Sequence, residues 1–101
     1  MSQQIRRKYI RSTPDPMEYA EIDYSNGKGA NWSPMQVALI EEESAMGGCG
    51  LVFQRYPFNQ CLEKGFKVTI KLGKLEPLFA ECMYVEDQGK NLVKAGFKFL
   101  E

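Results

Sequence analysis

The amino-acid sequence predicts an all-β fold, specifically a small six-stranded antiparallel β-barrel, and three observations support this prediction. Short runs that alternate apolar and polar residues recur roughly every ten residues. Turn-forming residues separate these runs, and no stretch has the pattern of a long helix. Because a closed barrel has no exposed strand edge, it suits a single domain of 101 residues.

The first three strands are predicted at 17–24, 35–42 and 50–54. An Asn26-Gly27 reversal signal lies between the first and second strands. The second strand is centred on a continuous apolar run, Val37-Ala38-Leu39-Ile40. A glycine-rich turn is predicted at 44–48, before the third strand. Residues 55–64 are predicted to form a loop or a short helical turn.

The fourth strand, predicted at 66–72, has the clearest pattern. Its alternation is typical of a sheet with one solvated face, so Phe66, Val68, Ile70 and Leu72 are predicted on one side and Lys67, Thr69 and Lys71 on the other. A fifth strand is predicted at 78–85, with Ala80, Cys82 and Tyr84 on one face. A hairpin turn at 87–91 and a final strand at 93–100 complete the barrel.

The charges divide the chain into a basic arm at 1–16 and a barrel domain at 17–101. Pro14 and Pro16 disfavour a helix in the arm and indicate extended backbone. Residues 1–13 carry four basic side chains and no acidic one, whereas the other 88 residues hold the remaining 9 basic and all 13 acidic side chains. A basic arm on a mildly acidic body indicates an anionic partner.

The composition disfavours an enzyme. The chain has no histidine, which is the commonest general base and metal ligand. Three cysteines without Cys-x-x-Cys spacing predict buried thiols rather than a disulfide framework or a zinc site. No apolar run is long enough to span a membrane, and no signal peptide is evident, so we expect a cytoplasmic protein without membrane insertion, catalytic residues or a cofactor.

The arm carries the first candidate ligand-binding residues, Arg6, Arg7 and Arg11. A guanidinium group binds phosphate oxygens in a bidentate manner, stacks on planar groups and matches the O6/N7 edge of guanine. Two such groups four residues apart could wrap a compact anion. The pattern also occurs by chance in many solvated basic tails.

The second group of candidates lies at the predicted turn and comprises Glu42, Ser44, Gly47 and Gly48. A carboxylate at a strand end can accept hydrogen bonds from guanine, and a hydroxyl can bind a phosphate or a base. Glycines allow a ligand to approach the backbone closely. An ordinary hairpin turn with acidic residues would give the same pattern.

Taken together, the two patterns resemble the PilZ domain family. That family has Arg-x-x-x-Arg on an N-terminal arm, followed by Asp/Asn-x-Ser-x-x-Gly at the end of a barrel strand. Arg7 and Arg11 match the first motif, and Ser44 and Gly47 match the second, with Glu42 in place of Asp/Asn. The later strands are also similar, so the resemblance covers about residues 6–100.

The resemblance implies a six-stranded barrel that binds the bacterial second messenger cyclic di-GMP. Arg7 and Arg11 would grip phosphates and guanine faces, residue 42 would recognise a guanine edge, and Ser44 and Gly47 would line the floor. Ordering of the arm would then signal to an unidentified downstream protein.

Two other functions remain open. Because Glu42 is one methylene longer than aspartate, the chain could be a protein–protein adaptor that does not bind the nucleotide. Alternatively, a small barrel with a basic arm could bind single-stranded nucleic acid, which the acidic body disfavours. A second Asp-x-Ser match, Asp23-Tyr24-Ser25, has Lys28 where the motif requires glycine, and we reject it as a ligand site.

Overall fold

The computed structural model describes residues 18–44 and 47–101, and these form a closed antiparallel barrel of six strands. The predicted all-β barrel is therefore confirmed. The arm lies outside the described residues. The strands are β1 (Tyr19–Asp23), β2 (Gln36–Ser44), β3 (Gly48–Gln54), β4 (Lys67–Leu72), β5 (Leu78–Gly89) and β6 (Leu92–Phe99). Their order around the barrel is β1-β2-β3-β6-β5-β4, and β4 closes on β1.

One face of every strand fills the barrel interior. The residues of this core are fully or nearly fully buried, and the largest of them include Ile22, Leu51, Val68 and Ile70. Burial of each such side chain contributes about 1.5–3 kcal/mol, which makes this interior the main source of stability. No helix in the described ranges has the length and hydropathy that crossing a membrane would require.

A β-bulge in β2 changes which side chains face outwards. Ile40 pairs with Leu51, but the next pair is Glu42 with Gly50, so Glu41 is an extra residue in this strand. Alternation alone would send Glu42 into the core. Because of the bulge, Glu41 and Glu42 both lie outside, Glu43 is buried, and Ser44 returns to the outer face. Bulges commonly re-aim side chains in this way.

A second bulge, in β5, corrects the prediction for Tyr84. Cys82 pairs with Phe97 and Tyr84 pairs with Gly96, so Met83 is the extra residue. Leu78, Ala80 and Cys82 face the core, as their alternation predicts, but the bulge moves Tyr84 to the outer face. The strand also continues to Gly89. The hairpin turn is consequently shorter than predicted and consists of two residues with positive φ, Lys90 and Asn91.

Three further predictions are wrong in detail. Thr69 was predicted on the solvated face, but it is buried, and its hydroxyl donates to Oδ1 of Asn26 in the loop that covers it. Cys61 is exposed, whereas Cys49 and Cys82 are buried as predicted, and all three thiols are free. The turn between β2 and β3 is tighter than predicted, because β2 extends to Ser44 and β3 begins at Gly48.

A hydrogen-bonded network closes the barrel near the start of β2. Asn59, at the end of the 3-10 turn Pro57–Asn59, donates from Nδ2 to Oε1 of Gln36 at 2.9 Å and to the carbonyl of Gln54 at 3.0 Å. The Tyr24 hydroxyl also donates to Gln36, and burial raises the pKa of Tyr24 to about 12. Buried polar groups are costly unless they are paired, so this network fixes the turn against the barrel.

Candidate functional site

The candidate site is a shallow pocket of about 420 Å³ on the outer face of four neighbouring strands. It lies where β2 ends, β3 begins and β6 ends, and β5 forms its far wall. The lining residues are Glu42, Ser44, Gly47, Gly48, Cys49, Met83, Tyr84, Gly96, Phe97 and Lys98. We refer to it as the glycine pocket, because glycines occupy the middle of its floor.

Two rows of paired residues cross the floor of the glycine pocket. In the first row Glu42 pairs with Gly50, Gly50 with Gly96, and Gly96 with Tyr84. A carboxylate and an aromatic ring therefore face each other across two glycines. A Cβ on Gly96 would lie 2.1 Å from Cε2 of Tyr84, so the ring lies directly on this glycine. The absence of side chains at the two central positions makes this arrangement possible.

The second row runs parallel to the first, nearer the β2–β3 turn. Ser44 pairs with Gly48, Gly48 with Lys98, and Lys98 with Glu81. A Cβ on Gly48 would lie 2.7 Å from the carbonyl oxygen of Phe97, which is too close for any residue with a side chain. The row therefore places a hydroxyl and an ammonium group on either side of a glycine.

Gly47 shapes the turn that borders the pocket. Its φ of 92° lies in the left-handed region that favours glycine. Its N–H donates to the carbonyl of Ser44 at 3.1 Å, and its own carbonyl accepts from Phe99 at 2.8 Å. The turn is thereby attached to both β2 and β6.

Charged side chains of both signs surround Tyr84 in the first row. Burial raises the pKa of Tyr84, and the carboxylates of Glu42 and Glu86 add to this rise, while Lys94 opposes it. Lys94 is itself paired with Glu41 at 2.6 Å. Burial, together with the charges of Glu43 and Glu42, also raises the pKa of the Cys49 thiol, so this thiol is a poor nucleophile. Lys98 is the cationic residue among the lining residues.

Four of the sequence-predicted residues, Glu42, Ser44, Gly47 and Gly48, lie together in the glycine pocket. The predicted residues Arg6, Arg7 and Arg11 lie outside the described residues. Sequence reasoning missed the contributions of β5 and β6, which comprise Met83, Tyr84, Gly96, Phe97 and Lys98. Gly96 within the last strand was a possible signal, because an interior strand glycine often marks a close approach.

The rejected Asp-x-Ser match has a structural role. The carboxylate of Asp23 accepts hydrogen bonds from the N–H and hydroxyl of Ser25 and from the N–H of Ser33. Both oxygens therefore bind the loop that follows β1. Within the described ranges, no group of three or more potential metal ligands comes together.

Comparisons of the chain with protein-family models, with curated proteins and with solved structures found no match.

Proposed function

We propose that this protein is a non-catalytic receptor for cyclic di-GMP and that it belongs to the PilZ-like class of barrels. One observation carries the proposal. Glu42, Ser44, Gly47 and Gly48, which were predicted from the sequence as ligand-binding residues, all line a single pocket on the outer face of the barrel. The β2 bulge supports the same reading, since it is the feature that puts Glu42 and Ser44 on the outside together.

The chemistry of the glycine pocket fits a guanine base. Guanine offers two neighbouring donors, N1–H and N2–H, to a carboxylate, and Glu42 is an exposed acceptor at the pocket edge. Tyr84 offers an aromatic surface, and Ser44 and Lys98 offer donors that can reach a ribose or phosphate oxygen.

The phosphates account for the basic arm in this proposal. Cyclic di-GMP carries two negative charges, and the described lining of the pocket offers Lys98 opposite the acidic Glu42. The remaining positive charge would come from Arg7 and Arg11, with Arg6 beside them. Binding would order the arm over the pocket, and a downstream protein would read the new surface.

Isothermal titration calorimetry with cyclic di-GMP tests this proposal. We expect the wild type to bind, and Arg7→Ala and Arg11→Ala each to lose at least about tenfold in affinity, because each removes a charge-assisted hydrogen bond. Lys8→Ala is the matched control, since it removes the same charge from the same segment outside the Arg-x-x-x-Arg pair. Cyclic di-AMP, which has the same phosphates and different base edges, should bind much more weakly.

Equal affinity in the two arginine variants and the Lys8→Ala control would show that the arm acts only through its net charge. Equal binding of cyclic di-AMP would remove guanine recognition by Glu42 from the proposal.

A second candidate function is an adaptor that does not bind the nucleotide, and the position of Glu42 favours it. A Cβ on Gly50 would lie 3.1 Å from Cγ and 3.2 Å from Oε2 of Glu42, so this side chain extends over the floor that a base would occupy. Aspartate is one methylene shorter and would withdraw from Gly50. Nucleotide binding that appears only in Glu42→Asp would support the adaptor function.

A further inference from the structure

The other end of the same strands carries an apolar surface with no role in the proposed nucleotide site. It surrounds a groove of about 620 Å³ formed by the start of β2, the end of β3, the start of β6 and the 3-10 turn. Its exposed apolar side chains are Met35, Val37, Leu39, Tyr56, Phe58 and Leu92, and Tyr19 on β1 lies beside Leu39. We refer to this surface as the apolar groove.

The pattern of β2 is that of a strand covered on both faces. Ala38 and Ile40 fill the core, while Val37 and Leu39, on the opposite face, are 55% and 65% exposed. Strands with apolar residues on both sides are typically buried on both sides. In a strand with one solvent-exposed face, apolar and polar residues alternate. The first half of β2 therefore lacks an outer covering among the described residues.

The described residues that line the apolar groove are uncharged, and two ion pairs flank the groove. Lys94 contacts Glu41 at 2.6 Å on one side, and Lys71 lies 4.0 Å from Glu21 on the other. The surface consequently offers little net charge to an anionic ligand. Its chemistry fits a neutral, apolar protein surface instead.

An exposed pair of aromatic side chains lines one side of the apolar groove. The rings of Tyr56 and Phe58 stack with 5.3 Å between their centroids, and we refer to this pair as the ridge. In a two-fold dimer the same patch serves both partners, so a ridge adjacent to a groove can insert into the groove of the second copy. The barrel is closed, so association must use these side chains rather than strand addition.

We infer that the apolar groove is a homodimer interface. Its seven large apolar side chains are each 39–65% exposed, which at roughly 150–200 Å² per fully exposed side chain gives on the order of 600 Å² per copy. Two copies would bury about 1,200 Å², which reaches the lower end of the range for specific interfaces. This inference does not depend on nucleotide binding.

Sedimentation equilibrium of the full chain tests the inference. We expect the wild type to dimerise and Leu39→Lys to raise the dimer dissociation constant at least about 100-fold, because the charge enters the interface from both copies. Leu39 is mostly exposed, so the variant should stay folded and should unfold cooperatively at the temperature of the dissociated wild-type monomer. Leu100→Lys is the matched control, because Leu100 is 42% exposed and does not line the groove. It should remain dimeric.

Three results would overturn the inference. The first is a wild type that stays monomeric up to ~1 mM. The second is a folded Leu39→Lys variant that dimerises as well as the wild type. The third is a monomeric wild type that becomes dimeric when residues 1–16 are removed, which would make the arm the occupant of the groove.

Discussion

The two ends of the outer face of β2, β3 and β6 differ in every property that matters for recognition. The glycine pocket combines a carboxylate, a hydroxyl and an ammonium group around Gly48 and Gly96. The apolar groove, on the same strands, is lined mainly by aliphatic and aromatic side chains. The ion pair of Glu41 with Lys94 lies between them.

The difference shows that one small sheet can carry two separate recognition surfaces. A polar site needs small residues so that a ligand can reach the backbone, whereas an apolar interface needs large side chains that cover area. The β2 bulge at Glu41 allows both surfaces on one strand, because it shifts the alternation of inward and outward side chains between Leu39 and Glu42. Each half of the strand can therefore follow its own pattern.

The largest expected effect comes from breaking the support beneath the apolar groove. Asn59→Ala removes the hydrogen bonds to Gln36 and to the Gln54 carbonyl, and it leaves the Tyr56 N–H without its 2.8 Å acceptor. We expect a loss of about 2–4 kcal/mol in the free energy of unfolding. The ridge of Tyr56 and Phe58 should move, while the glycine pocket keeps its structure.

Chemical denaturation of Asn59→Ala and of a control, Gln60→Ala, measures this effect. Gln60 is an exposed amide on the same turn, and its loss should cost less than about 0.5 kcal/mol. Equal stability of the two variants would show that the hydrogen bonds of Asn59 do not hold the ridge in place.

A smaller effect is expected at the glycine pocket, where Gly48→Ala sharpens the comparison. The new Cβ would lie 2.7 Å from the backbone oxygen of Phe97, and this strain should cost about 1–3 kcal/mol. At Gly50 the three atoms nearest to the corresponding Cβ all belong to the exposed side chain of Glu42, which can move. Gly50→Ala should therefore fold normally and, under the proposed function, weaken nucleotide binding. Thermal unfolding measures the stability of both variants, and calorimetry measures their nucleotide binding. Equal destabilisation by both variants would contradict the different surroundings of Gly48 and Gly50.

The smallest effect concerns pH and acts on the loop before the apolar groove. Burial alone would raise the pKa of Asp23, but hydrogen bonds from Ser25, Ser33 and Gly27 outweigh it and hold that pKa below its usual value. The ionised carboxylate therefore stabilises the fold above about pH 4, and this contribution is lost as the pH falls further.

Denaturation between about pH 2 and pH 6 should show a shallower acid dependence for Asp23→Asn than for the wild type. Ser25→Ala, which removes one donor, should give an intermediate slope. Identical slopes in all three proteins would rule out a stabilising role for the charge.

The sequence predicts the barrel well because the local alternation of apolar and polar residues identifies most strands. Val68, Ile70 and Leu72 face the core as their spacing requires. Thr69 was misplaced because its burial depends on Asn26, a residue 43 positions away that no local pattern connects to it. Loop covering is a long-range property, and the sequence alone gives no measure of it.

The candidate site was only half predictable for a similar reason. Motif spacing identified the β2–β3 side of the pocket, because Glu42, Ser44 and Gly47 are close in the chain. Lys98 lines the pocket because β6 pairs with β3, and Tyr84 lines it because β5 pairs with β6. The outward position of Tyr84 also depends on the β5 bulge, which the sequence does not reveal. Bulges leave the alternation of a short strand ambiguous, so they are visible only once the partners are aligned.

The bulge at Glu41 also has a consequence for how this protein can change over generations. The extra residue reverses the inward and outward positions of the side chains that follow it. Gaining or losing one residue between Ile40 and Glu42 therefore changes the facing of several side chains, whereas a substitution changes one side chain. A second inserted residue would turn Glu42 and Ser44 inwards and Glu43 outwards, although every original residue of the strand would remain. Relatives that differ in length at this point would present different binding groups from nearly identical sequences, and an ungapped alignment would pair their residues wrongly.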